Sequence, residues 1–167
     1  MNDQSREYYA LWFRLEGTDR YLLWYSDDTD GVWMNEGGKI PAWSSQERAR
    51  SFASARGLPW KEEAPKCHDL DEVESFVHSG TKIDAGDALA AWNLFIDITN
   101  SAGDEEFRKA DEESLALYDA LFHASGTLPG DIHIDIEDAI SADGLIKLRS
   151  LLRQGLSTAR RCIDYID

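Results

Sequence analysis

Hydrophobic and polar positions alternate with two different periods along this chain, and the change falls near residue 45. From Tyr8 to Leu15 and from Arg20 to Tyr25 the sequence is rich in aromatic and aliphatic residues, and Gly17-Thr18-Asp19 lies between the runs. That pattern predicts two strands of a β-meander. Asp27-Asp28-Thr29-Asp30-Gly31 predicts a second turn, followed by short strands over Val32-Trp33-Met34 and Lys39 to Trp43 around Glu36-Gly37-Gly38. Pro41 lacks an amide hydrogen, so the last strand is expected at an edge or to end there.

Beyond Trp43 the period lengthens to that of helices. Ser44 or Ser45 opens the first, with Ser44 to Glu47 fitting a capping box, and Gly57 closes it after Arg56. A short strand near Leu58 to Lys61 returns to the sheet. Asp69 caps a helix over Leu70 to His78, with Leu70, Val73, Phe76 and Val77 as its inner stripe and Gly80 as its end. Asp84 caps the clearest helix, in which Ala85, Ala88, Leu89, Trp92, Phe95, Ile96 and Thr99 share one face. Residues 101–106 interrupt it. A further helix over Asp111 to His123 is expected to bury Leu115, Tyr118, Leu121 and Phe122, and Gly126 to Gly130 is a loop. Asp131 to Glu137 alternates strictly, which predicts a half-buried strand with Ile132, Ile134 and Ile136 inward. Ser141 caps a long amphipathic helix through Tyr165, with Leu145, Leu148, Leu152, Ala159 and Ile163 inside.

Strands therefore precede helices, which favours an α+β fold: an N-terminal antiparallel β-meander packed against a C-terminal layer of four to five helices. Residues 1–167 are expected to form a single domain, strand-rich over 7–61 and helix-rich over 69–167. At 43% hydrophobic, with six each of Trp, Tyr and Phe, the chain has ample material for a core. The opening Met1 to Glu7 lacks the basic and apolar regions of a secretory signal, and no apolar run approaches the length of a membrane span. A cytoplasmic protein is expected, with Cys67 and Cys162 as thiols.

Charge changes this picture most. The net charge is -15, and residues 66–138 hold 18 acids against 4 bases, or -14, against -3 for residues 1–65 and +2 for residues 139–167. Such a segment repels nucleic acid and anionic membranes and attracts basic proteins.

Candidate chemistry is sparse. Asp131-x-His133-x-Asp135-x-Glu137 would, on a strand, put an imidazole and carboxylates on one face, a row capable of holding a divalent cation; a solvated face is the favoured reading. Cys67-His68-Asp69-x-Asp71 has ligand-type residues without paired zinc spacing and reads as a capping turn. Asn93 and Asp97 share a helix face, and tying the helix to a neighbouring segment is favoured over binding a ligand. Asp27-Asp28-x-Asp30-Gly31 lacks the downstream Glu of a calcium loop. No catalytic residue, metal or cofactor is assigned. Trp12, Trp24, Trp33 and Trp92 are expected in the core, and Trp43 and Trp60 partly exposed.

Tyr8-Tyr9-Ala10-Leu11-Trp12-Phe13, Tyr21 to Tyr25 with Asp30-Gly31-Val32-Trp33, Ile40 to Ser45, His68-Asp69-Leu70-Asp71, Ala91 to Phe95 and Tyr118 to Phe122 together resemble the immunity proteins of bacterial polymorphic toxin systems, including contact-dependent growth inhibition. The likeness spans most of residues 8–160 in packing-type motifs; after Phe122 the loop departs, reading Thr127-Leu128-Pro129. The resemblance implies a cytoplasmic, non-enzymatic inhibitor, monomeric until it binds one cognate toxin domain over or beside its active site. A nuclease toxin with a basic cleft would suit the acidic charge. The acids expected to form or border the toxin surface are Asp104, Glu105, Glu106, Asp111, Glu112, Glu113, Asp131, Asp135, Glu137 and Asp138. The alternatives are a small metal-dependent enzyme using Asp131, His133 and Asp135, and an antitoxin or adaptor outside secreted systems.

Overall fold

A computed structural model describes residues 6–104, 107 and 112–166. The elements run β1 (Glu7–Leu15), β2 (Thr18–Ser26), β3 (Gly31–Val32), β4 (Ile40–Trp43), α1 (Gln46–Ala55), β5 (Cys67–Asp69), α2 (Leu70–Ser79), α3 (Ala85–Ala102), α4 (Glu112–Ala124), α5 (Ile136–Ala139), α6 (Ala142–Cys162) and β6 (Ile163–Ile166). The fold is α+β, as the segregation of periods predicted.

β1 and β2 form the antiparallel hairpin at the centre of the sheet, in register from Glu7 opposite Ser26 to Leu15 opposite Thr18. Its turn places both Glu16 (φ 55°) and Gly17 (φ 70°) in the left-handed region, the geometry that matches strand twist in a two-residue hairpin. Asp71 of α2 holds that turn, its two carboxylate oxygens accepting the Glu16 and Gly17 amides at 2.6 and 2.8 Å.

The strand order is β5-β1-β2-β4-β6, with β3 also on β2. Both outer pairings are parallel. The meander is thus widened into a mixed sheet by two strands drawn from the helical part of the chain. β4 is not an edge, because β6 runs beside it from Ile40 opposite Ile163 to Trp43 opposite Ile166. Pro41 is tolerated there since β4 meets β2 only through Trp43 and Tyr21. The last helix accordingly ends at Cys162, short of the expected Tyr165. The strand expected near Leu58 to Lys61 is a single bridge, in which Tyr8 donates to Pro59 O and Lys61 donates to Tyr8 O.

Alternation along the hairpin gives each face its own core. Leu11, Phe13, Leu15 and Leu22 point into the larger one with α2, α3 and α6; Tyr8 and Leu23 join Trp43, Ala49 and Ala53 in a smaller one beneath α1. Trp43 is therefore buried and not partly exposed, while Trp60 is half-buried and donates to Glu62.

The caps follow the sequence closely. Asp69, Asp84 and Ser141 accept the amides of Glu72, Gly86 and Gly144. At α1 the capping side chain is Ser45, which accepts from Arg48, in place of a Ser44–Glu47 box. α3 runs uninterrupted to Ala102 and is buried nearly all round, because it meets the sheet, α4 and α6 at once. α4 buries Ser114, Leu117, Leu121 and Ala124; of the expected stripe Leu121 is buried, Tyr118 and Phe122 are half-buried, and Leu115 is 54% exposed.

The largest correction concerns residues 131–137. They form no strand: residues 131–135 are irregular and Ile136 begins α5. The sheet is completed by β5 and β6, and this segment lies against α3 and α4, where no sheet edge is available to satisfy an extended backbone. Only Ile136 enters the core; Ile132 and Ile134 remain exposed.

Candidate functional site

Two surfaces concentrate chemistry. The first is an acidic strip built on α4. Ile134 donates to Ala124 O at 3.0 Å, a side chain at Gly144 would meet Leu117 and Ile140, and Lys147 reaches Glu113 at 2.7 Å. Residues 134–147 therefore run antiparallel to α4, back along a helix of about 20 Å. Between Glu112 and Ile146 there is no Lys or Arg, while Glu112, Glu113, Asp119, Asp131, Asp135, Glu137, Asp138 and Asp143 are all acids.

The expected toxin-binding acids fall into three groups in the structure. Glu112, Glu113, Asp135, Glu137 and Asp138 are exposed on the strip. Asp131 is half-buried at its border, 3.5 Å from His123 Nδ1. Asp104 stands apart, accepting from Arg161 at 2.9 Å near the far end of α6, about 20 Å along that helix from Lys147. Glu105, Glu106 and Asp111 lie outside the described residues.

Asp119 and Asp143 are exposed on the strip and were not singled out from the sequence, although the absence of intervening bases was there to be read. The apolar groups were missed for a different reason. Ile132 is 78% and Ile146 65% exposed, and alternation or helical spacing makes such residues look internal.

The proposed metal row does not assemble. His133 Nε2 turns to Asp84 at 3.2 Å, and Asp131 turns to His123. Among the described residues no three His, Cys, Asp or Glu side chains gather as a cation site.

The second surface is a cleft of about 600 Å³ between the main-core face of the hairpin and α3, closed at its sides by Tyr118 of α4 and residues 63–66. Strand alternation explains why Tyr9 and Trp24 meet here: they are cross-strand partners, with ring centroids 5.5 Å apart. Helical spacing explains Asn93 and Asp97, four apart on α3. Asp97 accepts from the Trp24 indole at 3.0 Å, and Asn93 accepts from the Tyr118 hydroxyl at 2.8 Å. The pair does tie α3 to its neighbours, and it also lines an opening.

Burial beside Trp24 pushes the Asp97 carboxyl above its ordinary value; the indole hydrogen bond offsets this in part, and nearby Asp30 adds to it. His68, expected in a capping turn, sits on β5 and reaches the same cleft. Its Nδ1 donates to the Trp12 carbonyl at 3.2 Å, and burial holds its pKa below the usual value despite that bond. Both cysteines are free, and burial raises each thiol above its ordinary pKa.

No protein-family model matches this chain, and no curated protein and no solved structure matches it. No helix among the described residues is long and apolar enough to cross a membrane.

Proposed function

We propose that this chain is an immunity protein that binds and neutralises a cognate toxin domain through the acidic strip, acting in the cytoplasm where such a toxin would arrive. The observation that carries the reading is the exposure of Ile132 and Ile134 beside a surface on which eight acids lie between Glu112 and Ile146 and are met by few bases, Lys147 at Glu113 and Lys82 near Asp135 and Glu137. Exposed isoleucines set among like charges gain nothing for the isolated fold. They suit an interface, where apolar side chains desolvate at the centre and charge lies at the rim. Like charges at this density repel one another until a basic surface covers them, so complementarity favours a basic partner and rapid encounter.

Nuclease domains, whose substrate clefts are basic, are the toxin class this surface fits best, with the carboxylates standing in for phosphates. An interface of standard size, about 1,600 Å² in total, takes about 20–30 residues a side. The two antiparallel segments of the strip supply that number.

The test is protection by co-expression with the C-terminal domain of a secreted protein encoded by the adjacent upstream reading frame. Wild-type protein should restore growth and form a one-to-one complex with that domain. Ile132→Asp/Ile134→Asp, whose exposed sites leave folding intact, should lose both. Failure of the wild type to protect or bind would overturn the reading.

A further inference from the structure

The cleft beside α3 is lined by Tyr118 of α4, the helix that bears the acidic strip, but by none of the strip's acids, and its hydrogen-bonding capacity is lopsided. The three donors its aromatic walls bring, the Trp24 indole and the Tyr118 and Tyr9 hydroxyls, are already engaged by Asp97, Asn93 and Glu7. The bond to Trp24 is made by Asp97 Oδ2. A carboxylate accepts several hydrogen bonds, so Asp97 keeps acceptor capacity after meeting the indole. Asp30, which accepts from Ser26, and Glu63 add two further carboxylates to the lining, against Lys66, which extends into solvent toward Asp87.

The walls between these groups are aromatic and aliphatic: Tyr9, Trp24, Leu11, Leu94 and Ile96. A volume of about 600 Å³ is within the range of small-ligand sites. The ligand such a lining selects carries positive charge, several N–H donors in one plane, and an apolar stem. Guanidinium meets all three requirements, since it pairs with carboxylates through a fork of donors and stacks on aromatic faces.

We infer that the cleft is a binding site for an alkylguanidinium group, with Asp97 as the anchoring carboxylate and Trp24 as the platform for its stem and plane, the Tyr9 ring already carrying the Lys61 ammonium at 5.5 Å. Free small guanidinium compounds and protein-borne arginine side chains share this chemistry. The inference is independent of the toxin reading, because its test uses the free protein.

Binding is measured by calorimetry, and by the indole N–H resonance of Trp24, assigned by Trp24→Phe. The probes are butylguanidinium and its neutral isostere butylurea, together with N-acetylarginine methylamide and its citrulline counterpart. Butylguanidinium should shift the Trp24 indole saturably and bind at least about tenfold more tightly than butylurea. Asp97→Asn keeps an oxygen for the Trp24 indole and removes the charge; it should fold normally by circular dichroism and lose affinity by about tenfold or more. Tighter binding of the capped arginine than of butylguanidinium supports a protein-borne source, and the reverse order supports a free cation. Equal binding of guanidinium and urea, an unaltered affinity in Asp97→Asn, or no saturable shift at Trp24 would overturn the inference.

Discussion

His68 and Asp97 face the same cleft with pKa shifts of opposite sign, and the pH dependence of stability follows from each. For Asp97 the folded value is raised above the ordinary 3.8, so the native state holds its proton longer than the unfolded chain does. The stability this provides is complete below the unfolded value and is lost as pH rises through the folded one. Wild-type protein should therefore lose stability relative to Asp97→Asn as pH rises above the ordinary 3.8 and through the raised folded value. For His68 the folded value lies below 6.5, so the sign reverses: its contribution is present above 6.5 and is lost as pH falls through the depressed value. Urea midpoints of wild type and His68→Asn should converge or cross on acidification. Parallel curves would contradict the buried placement of that ring. Gly155 offers a steric test, because a Cβ there would overlap the Phe95 ring where α3 crosses α6. Gly155→Ala should cost about 1–3 kcal/mol in denaturant unfolding, and a neutral effect would mean a looser crossing.

At the scale of elements, the sequence carried the local signals and missed the non-local ones. The caps at Asp69, Asp84 and Ser141 and the breaks at Gly57 and Gly80 were readable because each is satisfied within a turn of helix. β5 and β6 were not. Three residues of β5 show no period, and Ile163 continues the inner stripe of α6 so smoothly that nothing marks its exit into the sheet. Residues 131–137 show the converse: perfect alternation without a partner strand yields no strand. The candidate site was readable in part for the same reason. Its charge is a property of composition, whereas the Asp97, Trp24 and His68 grouping depends on segments far apart in sequence. β6 has a measurable consequence. Deleting residues 163–167 removes the burial of Ile163 and uncovers β4; it should cost about 2 kcal/mol and lower the melting temperature by about 4–8 °C. Asp71→Ala should cost about 1–2 kcal/mol by freeing the two amides of the β1–β2 turn, read from the urea midpoint.

Over the whole molecule, charge and shape are divided by layer. The β-sheet and α1 carry a nearly balanced charge, α6 brings Arg160 back to Glu16 and Glu74 at the hairpin end, and the strip on α4 holds a surplus of acid beyond the Glu113–Lys147 pair. The -15 of the chain is thus weaker as an argument than its placement. Some acids are occupied as caps at Asp69 and Asp84, and Asp104 is engaged by Arg161. Those left on the strip give its charge a direction. The most direct measurement is the association rate of this protein with the proposed toxin domain as a function of ionic strength, for wild type and for Glu112→Lys/Glu137→Lys/Asp138→Lys. The wild-type rate should fall by about tenfold or more between roughly 10 and 300 mM salt, and the variant should associate more slowly with a much shallower dependence. Identical salt dependence in the two proteins would contradict the assignment of the strip as the toxin-binding surface.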